Sequence, residues 1–167
     1  MIFVTVGSAP QDFSRLIKKI DELASRVPEK FVVQLGFTKY KPANAQWFRF
    51  VAYDQARQYF RDADIIIGHA SAGPIMHARE FHKPLIIFPR NGALHEHIDN
   101  HQMETARAIE GISEFIEVVY TEEDLLPAIQ RALAKTALCR QRQYAASESV
   151  ESLIRCISEF LAITERT

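Results

Sequence analysis

Short, unbroken apolar runs alternate along this chain with longer stretches in which apolar residues return every three or four positions. The first run, Ile2 to Val6, ends in Gly7-Ser8, and the second, Phe31 to Leu35, ends in Gly36. Others cover Asp64 to Gly68, Leu85 to Phe88 and Phe115 to Val119. Each is rich in β-branched or aromatic residues and closes on a turn-forming or polar residue, so each predicts a strand. A shorter strand is expected within Trp47 to Tyr53. Phe13, Leu16, Ile17, Ile20, Leu23, Ala24 and Val27 have helical spacing, with Pro28 past their end. Further helices are predicted over Asp54 to Phe60, Gly73 to Phe81 and His97 to Glu110, the last stopped by Gly111. Thr121 can cap a helix through Ala134, with Pro127 delaying or kinking its start. Val150, Leu153, Ile154, Ile157 and Leu161 mark a final helix from about 142 to 163.

Strand and helix alternate throughout, and the strands lack the polar alternation of a half-exposed sheet. That pattern predicts a parallel sheet covered by helices on both faces. The expected fold class is α/β, an open Rossmann-like parallel sheet in a single domain over residues 1–167. Ligands of such sheets sit beyond the carboxyl ends of the strands, at the point where strand order reverses. Gly7-Ser8, Gly36 and Gly68-His69 occupy three such ends. The chain has neither G-x-G-x-x-G nor a Walker loop, so it carries no dinucleotide or ATP fingerprint.

Composition narrows the function classes. An apolar share of 47% and a charged share of 25% are those of a globular domain. A formal net charge of -1 argues against a nucleic-acid or membrane footprint over the whole surface. No apolar run is long enough to span a bilayer. The start, MIFVTVGS, has no basic leader, so no signal peptide is expected. Cys139 and Cys156 form no C-x-x-C pair and read as reduced structural thiols of a cytosolic protein.

Three segments carry candidate chemistry. In Gly68 to Gly73, Ser71, Ala72 and Gly73 open a helix whose free N–H groups and dipole favour a phosphate, and the small side chains allow close approach. A plain strand-to-helix turn with His69 as a capping or core residue is the bland alternative. In residues 89–102, PRNGALHEHIDNHQ, Arg90, His95, Glu96, His97, Asp99, His101 and Gln102 crowd one loop and one helix start. His97 and His101 are four apart and can share a helix face, but without H-E-x-x-H no metal site is expected. The mixture suits the hydroxyls of a sugar better. In GFTKYKP, residues 36–42, Lys39 and Lys41 could meet phosphate, and Phe37 or Tyr40 a partner.

The order of blocks, with Gly7-Ser8, VVQLGFTKYKP, ADIIIGHASAGPIMHA, KPLIIFPR and EHIDNHQ in turn, resembles the family 28 glycosyltransferase C-terminal domain. More closely it is similar to the small catalytic subunit of two-component, UDP-sugar-dependent glycosyltransferases. That group includes bacterial capsule and exopolysaccharide subunits and the eukaryotic subunit that adds the second GlcNAc to dolichol-linked oligosaccharide. The resemblance covers residues 1 to about 135.

It implies the C-terminal-type half of a GT-B enzyme, with inverting transfer, no cofactor or metal, and a UDP-sugar as donor. It also implies a membrane-associated, acceptor-binding partner subunit that recruits this chain to a lipid-linked saccharide at the cytoplasmic face. On the same basis, Gly7 and Ser8 lie near the diphosphate, and Gly68, His69, Ser71, Ala72 and Gly73 bind the nucleotide. His101 and Gln102 touch the donor sugar, and Arg90, His97 and Asp99 line the pocket. His77 stands where the family often has a ribose-binding glutamate, Pro74 where Ser or Thr is common, and Ser71 where Gly is common. His95 and Glu96 are the local candidates for a general base. Competing expectations are a non-catalytic nucleotide-sugar-binding module and an unrelated small-ligand enzyme on this fold. The last helix could pack on its own domain, dock on the partner or form a homodimer.

Overall fold

A computed structural model describes residues 1–141. The final helix expected from about 142 to 163, and Cys156, lie outside the described residues. Within them, six parallel strands form one sheet in the order β3-β2-β1-β4-β5-β6. The strands are β1 (Ile2–Thr5), β2 (Phe31–Gln34), β3 (Gln46–Phe48), β4 (Ile65–Gly68), β5 (Leu85–Ile87) and β6 (Ile116–Val118). The helices are α1 (Ser14–Ala24), α2 (Tyr53–Asp62), α3 (Ala72–Glu80), α4 (His101–Ile109) and α5 (Leu125–Gln141).

Side chains on a strand point alternately to its two faces, so each apolar run feeds two cores. Ile2, Val4, Ile65, Ile67 and Ile86 meet Leu16, Ile17 and Ile20 of α1 and Ala128 and Ile129 of α5. Phe3, Ile66, Leu85 and Ile87 meet Phe60 of α2, Ile75 of α3 and Ala106 of α4. Burial on both faces is why the strands read as continuous apolar runs. The chain reverses direction across the sheet between β1, which leads to β2, and β4, which leads to β5. The crevice therefore opens above the carboxyl ends of β1 and β4.

One expectation is corrected, and the delayed start expected at Pro127 is located. The helix predicted from His97 starts only at His101. Asp99 folds the preceding residues into a turn, because its Oδ1 accepts the His101 backbone N–H at 3.0 Å and lies 2.7 Å from His97 Nδ1. His97 and His101 thus share no helix face. The helix after Thr121 begins at Leu125, with Pro127 in its first turn, where its missing N–H costs nothing.

Candidate functional site

The crevice is built by close approach of backbone. Gly7 follows β1 with φ +72°, and a Cβ there would lie 2.5 Å from His69 Cε1. Gly68 ends β4 with Pro74 against it, since a Cβ at that residue would lie 2.8 Å from Pro74 Cβ. Pro74 thus fills the space above Gly68 from the third position of α3, where proline's lack of a donor is harmless. His69 and Pro74 clamp α3 onto the strand ends.

The amino terminus of α3 faces the same crevice. Ser71 caps the helix in extended conformation but makes no side-chain capping bond, because its Oγ lies 2.8 Å from His69 Nε2. The first-turn N–H groups of Ala72 and Gly73 have no intrahelical acceptor. Among the described residues nothing lies within 4 Å of the position a Gly73 Cβ would take, so that side of the turn is open. Burial, reinforced by the Arg90 charge, lowers His69 to about 4 and keeps the ring neutral near neutral pH. Nδ1 is buried without a hydrogen-bond partner among the described residues. Nε2 and the Ser71 hydroxyl share the 2.8 Å hydrogen bond, the ring tautomer setting which of them donates.

Ser8 is exposed above the corner. His77 lies one turn and more into α3, with its ring 4.5 Å from that of Phe60 and its Nδ1 3.1 Å from Glu80 Oε2. Tyr53, at the start of α2, is 67% exposed with its ring centre 6.1 Å from that of His77. The two rings make an aromatic shoulder beside the α3 amino terminus. Nothing in the periodicity of residues 53–62 singled out Tyr53, because an exposed first-turn tyrosine looks like any surface residue.

The segment from Arg90 to Gln102 is held differently. Arg90 is wholly buried. Its Nη1 donates to the carbonyls of Gln11 at 3.0 Å and Glu96 at 2.9 Å, its Nη2 donates to Val6 at 2.9 Å, and the guanidinium lies 4.5 Å over Phe13. Desolvation lowers it to about 10, partly offset by Glu96 and Asp12, so it stays charged. It joins the β1 loop to the β5 loop from within instead of lining the pocket. Gln102 is also buried and accepts the Arg90 backbone N–H at 3.1 Å.

Glu96 is 5% exposed and accepts from Arg15 Nε and Nη2, both at 2.8 Å, and from the Asn91 N–H at 2.9 Å. With both oxygens engaged it is an anchor for the loop and not a free base. The neighbouring His95 is exposed, in left-handed conformation at φ 57°. Pro10, Asp12, Ser14, Arg15, Lys39, Leu94, His95 and Glu96 surround a cavity of ≈ 530 Å³ there. Burial alone would raise the Asp12 carboxyl, but the Lys39 N–H and the Ser14 hydroxyl outweigh it and hold it below the usual carboxylate range.

Asp99 is likewise held low, first by the His101 N–H. His97 and Asp99 pair at the mouth of the segment, and His101 begins α4 behind them. Among the described residues, no group of three or more His, Cys, Asp or Glu side chains is arranged to hold a metal ion. No described helix is long and apolar enough to cross a membrane.

Three solved structures share this architecture. The glycotransferase of kitacinnamycin matches 95% of this chain at TM-score 0.64 and 16% identity. The glycosyltransferase SnogD from Streptomyces nogalater matches 95% at TM-score 0.54 and 20% identity. The calicheamicin glycosyltransferase CalG4 matches 95% at TM-score 0.61 and 15% identity. The chain spans only 39%, 38% and 39% of those chains, and corresponds to the C-terminal half of the GT-B fold. No curated protein sequence matches it. The glycosyltransferase family 28 C-terminal domain matches residues 1–157, so the chain belongs to that family.

Proposed function

We propose that this chain is the donor-binding, catalytic half of a UDP-sugar-dependent, inverting glycosyltransferase. It works at the cytoplasmic face with a membrane-associated partner that binds a lipid-linked saccharide acceptor, as in capsule or exopolysaccharide synthesis. One observation carries the reading: Gly7, neutral His69 and the uncapped start of α3 converge at the β1–β4 reversal. Free N–H groups at a helix start, with open space beside Gly73, suit a diphosphate. Likeness to the C-terminal half of each GT-B neighbour supports the fold that this reading requires.

In this reading the diphosphate sits on Ala72 and Gly73, with Ser8 and the Ser71 hydroxyl at its edge. The base and ribose lie along Tyr53 and His77, and the donor sugar lies toward His97, Asp99, His101 and Gln102. An acceptor hydroxyl attacks the anomeric carbon from the face opposite the diphosphate. The bond from that carbon to the phosphate oxygen breaks, and UDP leaves with the electron pair. The helix dipole stabilises the charge that develops on the leaving oxygen. His95 takes the hydroxyl proton if the base is local, and Glu96 with Arg15 fixes where His95 stands.

His77 offers one ring nitrogen where a carboxylate would offer two oxygens, and Glu80 already engages that ring. A His77→Glu chain would set two carboxylates three residues apart on α3, at a cost of about 0.5 kcal/mol. UDP titration by calorimetry tests the proposal. Binding of UDP, but not of adenine dinucleotides, supports it. No UDP binding, with or without a partner, overturns it. Loss of transfer in a His95→Ala complex with unchanged UDP affinity would assign the base.

A further inference from the structure

Residues 36–53 concentrate six aromatic side chains and three cations, Lys39, Lys41 and Arg49, without one carboxylate, in a chain whose net charge is -1. The segment surrounds β3, the outermost strand on its side of the sheet. Tyr40 and Phe48 pack against the two cores, and the others stand at the surface. Phe37 and Phe50 are 53% and 48% exposed and meet edge to face at 5.1 Å, at the carboxyl ends of β2 and β3. Trp47, on the edge strand itself, is 40% exposed with the Lys41 ammonium 5.7 Å over its ring.

This surface is held rigid from beneath. Arg49 Nη1 donates to the carbonyls of Gly36 at 2.9 Å and Thr38 at 3.1 Å. Buried Asp21 accepts the Tyr40 hydroxyl and the Asn44 N–H, both at 2.7 Å, and Asp12 accepts the Lys39 N–H at 2.8 Å. Asp12 and Asp21 are thus spent as internal acceptors. Asp54, after Tyr53, is the nearest in sequence that faces solvent.

We propose that this face seats the protein directly on an anionic lipid surface. Aromatic rings with a polar or charged rim favour the boundary between headgroups and acyl chains. Lysines beside them gain from the negative potential of anionic headgroups, within the short range that salt allows. A protein partner would have to meet the cations with its own carboxylates, and a nucleic acid would need a longer basic track than three residues. The charge pattern fits the lipid best. The inference does not depend on sugar transfer and can hold or fail by itself.

Trp47 is the only tryptophan in the chain, so its emission reads this face alone. The full chain is titrated with vesicles of phosphatidylcholine, and with vesicles that also contain phosphatidylglycerol. The expected result is a blue shift and co-sedimentation with the anionic vesicles only, weakening as salt rises. Lys39 and Lys41 are both exposed, so a Lys39→Glu/Lys41→Glu chain should keep its circular dichroism and lose affinity by about tenfold or more. Phe37→Ser should weaken binding without changing its salt dependence. An unmoved Trp47 spectrum with both vesicle types overturns the proposal, as does equal binding to both. A Trp47 response to a partner protein or an oligonucleotide, with none to vesicles, overturns it too.

Discussion

At the β1–β4 corner, backbone and ring lie so close that a methyl group on Gly7 would strike His69. The segment from Arg90 to Gln102 is also close-packed at Gly92, where a Cβ would lie 2.5 Å from the Asp99 carbonyl oxygen, but it is anchored by buried charge. Arg90 reaches three carbonyls, and Arg15 grips Glu96 from a position 81 residues earlier. The corner offers fixed backbone donors, suited to a phosphate that is the same in every nucleotide-sugar. The segment offers adjustable side chains on a pinned loop, suited to a sugar whose hydroxyls differ between donors. Under the proposed function, the contrast divides invariance and selectivity between neighbouring parts of one crevice by different forces.

Breaking the charge anchor should have the larger effect. Arg90→Met leaves three carbonyls without their donor and loosens both loops, so the urea midpoint should fall by the equivalent of about 4 kcal/mol. Gly7→Ala tests the corner by forcing a left-handed backbone and a clash together, at a cost of about 3 kcal/mol in the same assay. If Gly7→Ala proves harmless, the corner is looser than the contrast requires.

Acid should find the corner first. His69 falls from 6.5 to about 4 on folding, so the unfolded chain binds more protons between those values. The stability from its neutral ring is complete above pH 6.5 and is lost as pH drops toward 4, by up to ~3 kcal/mol. Asp12 and Asp99, held low, contribute in the same direction over a lower range, losing their share only as pH falls below the carboxylate value of 3.8. Denaturation series from pH 7 to 4 on the wild type and on His69→Asn should separate the two, with the slope largely gone in the variant. Glu96→Gln is the mildest change: it removes a charge from Arg15 but keeps an oxygen, and should cost about 2 kcal/mol. It should reduce transfer more than UDP affinity, because it moves His95 and not the corner.

Much of this was legible in the sequence. Parallel strands followed from apolar runs without alternation, and the crevice followed from glycines at strand ends, because close approach leaves a local mark. Gly68 and Pro74, six residues apart, could be read in one window even though their contact could not. Arg90 was legible only as a polar residue near the site. Its inward direction depends on carbonyls of Val6 and Gln11, which no local pattern encodes. Glu96 likewise read as a candidate base, since Arg15 sits in another helix with no periodic link to it. The start of α4 was missed for a short-range reason, as the Asp99 turn outcompeted helix over four residues of helical character.

Gly73 puts the central claim to its most direct test. A Cβ there meets nothing among the described residues, so alanine should be accepted and should stabilise α3 by about 0.5–1 kcal/mol. A diphosphate resting on that turn would meet the added methyl group. Paired calorimetric titrations of UDP into the wild type and Gly73→Ala should therefore show binding to the first and at least roughly tenfold weaker binding to the second, the more stable of the two. Equal UDP affinity in both chains, or none in either, would contradict the placement of the donor at this corner.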